Sequence, residues 1–204
     1  MTLLPSTRSR SRRLRKALSG LGAAVVWTLA AVGLFVVVFI SFTMANGNFH
    51  TVARGEAFRS AQPSPAKLER YVRDHGIRTV INLRGANPSD AWYQEEVAAA
   101  DQLGLNHIDF RMSARRGITN GEALQLIEIM RDAPKPLLIH CESGADRTGL
   151  ASALYAAAIA GLGEEAAERH LSIRYGHVSA PFGKGWGTTL TWERMERALG
   201  FVEG

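Results

Sequence analysis

His140-Cys141-Glu142-Ser143-Gly144-Ala145-Asp146-Arg147-Thr148-Gly149 joins two segments of different character. Before it, Pro136–His140 (PLLIH) is a short apolar run, the pattern of a strand buried on both faces. After it, Arg147–Ala160 is alanine-rich and reads as a helix. A strand, a five-residue loop and a helix therefore meet here. Such a loop can curl until successive backbone N–H groups face one cavity, and the helix adds its unpaired N–H groups and positive dipole end. Gly144 can supply a left-handed turn without a Cβ penalty. Arg147 brings a planar, permanently charged fork that matches two oxygens of a phosphate. Glu142, Ser143, Gly144, Ala145, Asp146 and Arg147 are thus expected to form a phosphate cradle with the Cys141 sulfur at its base. Helix N-termini and neighbouring cations lower a cysteine pKa from ~8.5 to roughly 3.5–7.5, so Cys141 is expected to be ionised and nucleophilic. The Thr148 hydroxyl stands where it could bond to the sulfur, and His140 is expected to order the loop from the strand side.

Outward from this junction, strand and helix signals alternate. Ala57–Ser60 reads as a short strand. Ser64-Pro65 is an N-cap followed by proline, opening a helix that stops at Gly76. Arg78–Leu83 is a buried strand, Ser89 or Asp90 caps a helix through Gln102, and Asn106–Met112 is a further strand. Thr119 opens another helix; Glu164–Tyr175 and Thr191–Leu199 are the last two. Gly183-Lys184-Gly185-Trp186-Gly187 reads as a flexible loop, Tyr175-Gly176-His177 as a helix stop, and Trp186 and Trp192 as packing residues. The alternation implies an α/β fold, a central mostly parallel sheet with helices on both faces.

The motif H-C-x5-R-[ST]-G, met by His140, Cys141, Arg147, Thr148 and Gly149, resembles that of the cysteine-based protein tyrosine and dual-specificity phosphatases. Phe58-Arg59-Ser60-Ala61-Gln62-Pro63 and Gly76-Ile77-Arg78-Thr79-Val80-Ile81-Asn82-Leu83-Arg84 resemble the start of their compact atypical bacterial, plant and fungal members, so that the likeness covers residues 55–175. The resemblance implies a phosphate-monoester hydrolase working through a phospho-cysteine, with neither metal nor cofactor. It also implies a general acid about thirty residues upstream of the cysteine. Asp109, 32 residues before Cys141, fits that count, but it sits in a strand pattern and the following Ser113–Gly117 contains no acid. Asp146 is the competitor: C-x4-D-R-[ST] resembles myotubularin-type lipid phosphatases and some bacterial secreted tyrosine phosphatases, whose loop Asp is the proposed acid. Asp146 is favoured over Asp109. Arg115 and Arg116 either flank the mouth and attract anions or form a solvated loop.

Other chemistries fit less well. Sulfur transfer also uses a cysteine cradle, but Thr148-Gly149 after Arg147 favours phosphate. Arsenate reduction needs further cysteines, and Cys141 is the only one in the chain. That count excludes an intrachain disulfide and a zinc knuckle. A phosphate-binding pseudophosphatase would not need both Cys141 and Arg147. The loop carries no lysine, which disfavours highly phosphorylated inositols. Phosphorylated protein and phospholipid both remain as substrates.

The chain's 204 residues carry a net charge of +5, but the excess is local. Arg8, Arg10, Arg12, Arg13, Arg15 and Lys16 precede any acid, and the residues beyond them hold 18 basic and 19 acidic side chains. A nucleic-acid-binding domain is therefore not indicated. No charge occurs between Lys16 and Arg54, and Leu21–Phe42 is apolar. About 20 such residues span a hydrocarbon core of roughly 30 Å. The expected organisation is a basic cytoplasmic tail (1–16), a transmembrane helix (17–45), a linker (46–54) and a phosphatase-like domain (55–204). Six basic residues before the span against Arg54 and Arg59 after it place the domain outside the cytoplasm. A cleaved signal peptide is the alternative, with Thr43-Met44-Ala45 a poor cleavage site.

Overall fold

The structure, a computed structural model, describes residues 7–201; the first six residues of the basic tail and 202–204 lie outside the described residues. The chain divides into two units, residues 1–42 and 43–204. Helix α1 runs Thr7–Ala45, so the helix begins within the basic stretch rather than at residue 17. Arginine, lysine and leucine are good helix formers, and no proline interrupts them. Its Gly22–Phe39 window has a mean hydropathy of 2.4 and is wholly unburied, long and apolar enough to cross a membrane or to serve as a signal sequence. Thr28 Oγ1 donates to Ala24 O at 2.9 Å, which satisfies its hydroxyl within the helix.

The second unit is built on a mixed five-stranded sheet, β1(His50–Ala53), β2(Ala57–Ser60), β3(Thr79–Asn82), β4(Asn106–Asp109) and β5(Leu137–His140), in the order β1-β2-β5-β3-β4. Only β1 is antiparallel. Alternation along the strands divides the core. Ile81, Leu137 and Ile139 join Leu126, Leu150 and Leu154 in the larger layer, while Phe58, Val80 and Leu138 join Leu68, Tyr71 and Ala99 in the smaller. The first layer holds α4(Asn120–Asp132), α5(Asp146–Ala158), α6(Glu164–Glu168) and α7(Trp186–Ala198); the second holds α2(Pro65–His75) and α3(Ala91–Gln102). Helix α5 is the hub: Thr148 through Ala156 are all buried. Truncating a fully buried leucine such as Leu154 costs about 2–5 kcal/mol.

Local signals set most boundaries. Ser64 Oγ accepts from Lys67 N ahead of α2, and Gly76 ends it with φ of 66°. Thr119 and Glu122 form a reciprocal capping box on α4. Four expectations shift. The stretch read as a linker, 46–54, contains β1 and a buried Asn48. Strand β4 stops at Asp109, short of Met112. The helix expected over Glu164–Tyr175 breaks after Glu168 and resumes as a 3-10 turn at Ile173–Tyr175. Helix α7 starts at Trp186, so Gly185 and Gly187 are buried packing positions and not a flexible loop. Trp192 packs into the core as expected. Because β2, β5, β3 and β4 are parallel, the loops after β3, β4 and β5 gather at one edge of the sheet, and β5, between β2 and β3, delivers Cys141 to that edge.

Candidate active site

The loop after β5 is held by its carbonyl oxygens. Gln62 N donates to Glu142 O at 3.1 Å, and Asn48 Nδ2 donates to Ser143 O at 3.1 Å. Arg59 Nη2 donates to Gly144 O at 2.7 Å and to Ala145 O at 3.4 Å. In a trans peptide the next residue's N–H points opposite to the carbonyl. Tying back these four carbonyls therefore turns the N–H groups of Ser143, Gly144, Ala145 and Asp146 the other way. Unlike α2 and α4, helix α5 has no side-chain cap at its start, which leaves its first N–H groups free for an anion. Gly144 has φ of 71°, and a Cβ there would lie 2.6 Å from Ala61 N, so the loop seats directly on the end of β2.

Cys141 is nearly covered, at 1% exposure. It lines a cleft of about 1260 Å³ with Glu142, Ser143, Asp146 and Arg147. Arg147 Nη1 lies 3.5 Å from Leu83 O, and Nη2 lies 4.0 Å from Glu142 Oε2. The Glu142 side chain is exposed at the cleft, and its backbone carbonyl is what ties it into the loop. Thr148 Oγ1 is buried with no hydrogen-bond partner, so the expected bond to sulfur is not among its contacts.

Two buried polar systems support the loop from behind. Arg59, fully buried in β2, donates to His170 O at 2.9 Å, lies 3.1 Å from His170 Nδ1 and stacks over the Tyr175 ring at 4.0 Å. Burial lowers its guanidinium to about 10, against the opposing pull of Tyr175 and Cys141. Burial also drives the His170 imidazole down to about 3, with Arg59 adding to it. On the other side, His140 has no exposed surface; its Nε2 lies 3.2 Å from Glu96 Oε2, and His107 Nε2 lies 2.8 Å from Glu96 Oε1. Gln62 Nε2 also donates to Glu96. Burial alone would raise the Glu96 carboxyl; His140 and His107 outweigh it and hold it at about 2. Asn48, in the expected linker, Glu96, in an expected helix, and Arg59, in an expected strand, were not among the expected site residues. An arginine inside a four-residue buried strand was the one available signal, since a buried charge needs partners; Glu96, in mid-helix, gave none.

The two candidate acids part company. Asp146, at the first position of α5, faces the cleft, and His177 Nδ1 lies 2.8 Å from its Oδ1. His177, read from sequence as part of a helix stop, is a buried partner of the loop. Asp109 is exposed at the end of β4, away from the cleft lining; it accepts from Asn82 Nδ2 at 2.8 Å and from Tyr93 OH. The cleft mouth carries Arg115 and Arg116, joined by Lys184 from the segment before α7. Among the described residues no group of three His, Cys, Asp or Glu side chains could hold a metal ion.

A strand-end cysteine, a loop of inward amides and an arginine in the first turn of the next helix define the class of α/β phosphatase domains. The chain belongs to the tyrosine phosphatase family, whose sequence profile matches residues 43–169. That span takes in α1's last residues and β1. Solved structures share the fold. TpbA of P. aeruginosa in complex with pTyr is 18% identical, with a TM-score of 0.56 over 77% of this chain and 93% of its own. Tk-PTP in its active form is 18% identical, with a TM-score of 0.54 over 73% and 96%. The core domain of the PP-IP phosphatase SIW14 from S. cerevisiae, in complex with citrate, is 18% identical, with a TM-score of 0.51 over 76% and 94%. No curated protein sequence matches the chain.

Proposed function

We propose that this phosphatase hydrolyses phosphate monoesters through a phospho-cysteine, that phosphotyrosine or other phosphoprotein is its substrate class, and that α1 anchors it in the membrane. The observation that carries the reading is the tethering of four loop carbonyls, which aims consecutive amides at the site beside Cys141 and Arg147. In the first step the Cys141 thiolate attacks phosphorus and the P–O ester bond breaks. Arg147 and the loop amides hold the equatorial oxygens throughout, with donors already in place before charge moves. The departing oxygen takes a proton from Asp146, which the cleft geometry favours over Asp109. In the second step water attacks the phospho-cysteine, gives its proton to Asp146 and releases phosphate and the thiolate. Substrate choice is supported from outside by TpbA, whose structure holds pTyr.

A second reading, a phospholipid or other envelope phosphate monoester, is favoured by the apolar window of α1 together with the cationic cleft mouth. The positive-inside asymmetry supports a cytoplasmic N-terminus with the domain on the far side.

The test is turnover of an aryl phosphate, followed by phosphate release from phosphopeptides and lipid phosphates. Cys141→Ser should abolish turnover. Arg147→Ala should lower kcat/KM about a thousandfold, equivalent to about 4 kcal/mol of transition-state stabilisation. Arg147→Lys should not restore it, because a point charge lacks the fork. Wild-type-like rates in Cys141→Ser would end the covalent mechanism, and no turnover of any phosphate ester by the wild type would leave a phosphate-binding role.

A further inference from the structure

We infer that the turn at Ser113–Gly117, together with Lys184, is a specificity subsite that holds an acidic residue beside the phosphotyrosine of a peptide substrate; this rests on the reading of phosphoprotein as the substrate class. The turn is closed on itself. Ser113 and Gly117 form an antiparallel bridge, Gly117 N donates to Ser113 O at 2.9 Å, and Arg116 N donates to Ser113 Oγ at 3.2 Å. Its base rests on the first turn of α7. Gly117 has φ of 68°, and a Cβ on it would collide with Gly187 O and Thr191 Oγ1. A Cβ on Gly187 would collide in turn with Arg115 O and Gly117 N. Ile118 N donates to Thr191 Oγ1 at 3.2 Å, and Arg194 Nη2 donates to Ile118 O at 2.8 Å. The two glycines thus interlock, and the backbone that carries Arg115 and Arg116 is fixed against the helix that Lys184 precedes.

The charges on this frame have no acid to answer them. Beyond the basic tail the chain holds 18 basic and 19 acidic side chains, yet Arg115, Arg116 and Lys184 gather at one cleft mouth, all exposed. Among the described residues none of the three stands in an ion pair. The acids of the same cleft are engaged elsewhere. Glu122 accepts from Thr119 N and Oγ1, Glu142 lies 4.0 Å from Arg147, and Asp146 lies 2.8 Å from His177. Arg147 serves the scissile phosphate, so the rim is left for a second anion. Depth and lining point to its carrier. Cys141 is 1% exposed while the rim cations are at the surface, and a tyrosine ring spans such a depth with its neighbouring residues left outside. The cleft, about 1260 Å³, is larger than a single phosphate needs. Beside Cys141 its apolar side chains are only Met112, Ala114 and Ile118, and Met112 and Ile118 are buried. An acyl chain would find little there to cover it, which favours a polar peptide over a lipid. A guanidinium fork takes a carboxylate through two parallel hydrogen bonds.

The experiment measures kcat and KM for three phosphotyrosyl peptides of one length, with Glu, Ala or Lys on both sides of the phosphotyrosine. It uses the full chain in detergent, at low and at high salt. The wild type should prefer the Glu peptide to the Ala peptide about tenfold in kcat/KM, chiefly through KM, and the preference should shrink at high salt. Arg115→Glu/Arg116→Glu should invert the order and favour the Lys peptide. Gly187→Ala keeps every charge and suits a helix, but it unseats the turn and should cut the preference about threefold or more. The arginines are exposed, so the charge-reversed variant carries the test even where Gly187→Ala does not fold. Equal turnover of the three peptides by the wild type, or the wild-type order kept after charge reversal, overturns the inference. Full preference in Gly187→Ala would mean diffuse charge rather than a built subsite, and overturns it too. In each of those cases the phosphoprotein reading stands. Turnover of no peptide, beside Cys141-dependent turnover of phosphatidate in mixed micelles, would overturn that reading and this inference with it.

Discussion

Arg59 is a charge with no exposed surface, and its position on β2 is what turns a strand residue into part of the site. Its Nη2 donates to the loop carbonyls and its Nη1 to His170 O, and its charge adds to burial in keeping His170 neutral. The buried side chains behind the loop should make the fold acid-sensitive in two overlapping windows that open at different pH. Burial, with Arg59 adding to it, holds the folded-state His170 at about 3 against 6.5 for an ordinary imidazole, so the unfolded chain binds the extra proton first. Stability is then fully present above about pH 6.5 and falls as pH drops toward 3, by up to about 1.4 kcal/mol per pH unit. Glu96, held at about 2 against 4.5, contributes stability present above about pH 4.5 and lost as pH falls through 2. Urea midpoints measured from pH 7.5 to 3 should therefore decline more gently from 6.5 all the way to 3 in His170→Gln, and more gently only below 4.5 in Glu96→Gln. The same slopes in all three proteins would mean that these groups titrate alike folded and unfolded.

At the scale of the element, the strand–loop–helix unit works because its two ends are fixed by different neighbours. Strand β5 pairs on both sides, with β2 and β3, so the place where Cys141 emerges is set by four positions each paired twice. The loop itself is pinned to Ser60 and Ala61 at the point where Gly144 passes. Gly144→Ala meets two obstacles, a positive φ and a Cβ less than 3 Å from the β2 backbone. The loop must lift, which breaks its bonds to Arg59. Aryl phosphate turnover should fall at least a hundredfold, with a lowered melting temperature of the domain. A variant with normal turnover would show that the loop reaches its active form without seating on β2.

For the whole molecule, the proposed anchoring by α1 raises the question of which side of a membrane would hold the sheet. The six-to-two asymmetry of basic residues about the apolar window points to a cytoplasmic N-terminus. A reporter active only outside the cytoplasm, fused behind the C-terminus, should be active and remain in the membrane fraction. Recovery of the active domain in the soluble fraction would identify α1 as a cleaved signal, and protection from protease added outside intact cells would reverse the orientation. Either result leaves the catalytic reading in place, since the loop, its tethers and the cleft all belong to residues 43–204.

The sequence by itself determined the junction: an apolar strand, a single cysteine, a loop with glycine in its middle and an arginine one turn into a helix permit little else, because spacing and backbone conformation are local properties. It likewise determined the capped starts of α2 and α4 and the apolar window of α1, each written in neighbouring residues. Tertiary structure decided what those residues meet. Asn48 lies 95 positions from Ser143, Arg59 lies 85 from Gly144, and Asp146 lies 31 from His177. No local pattern marks an asparagine in a supposed linker, or a histidine after a helix stop, as a partner of a distant loop. Those pairings arise only when the parallel sheet closes and burial makes an unpaired polar group costly, so the tethers that make the cradle became visible only in the folded chain.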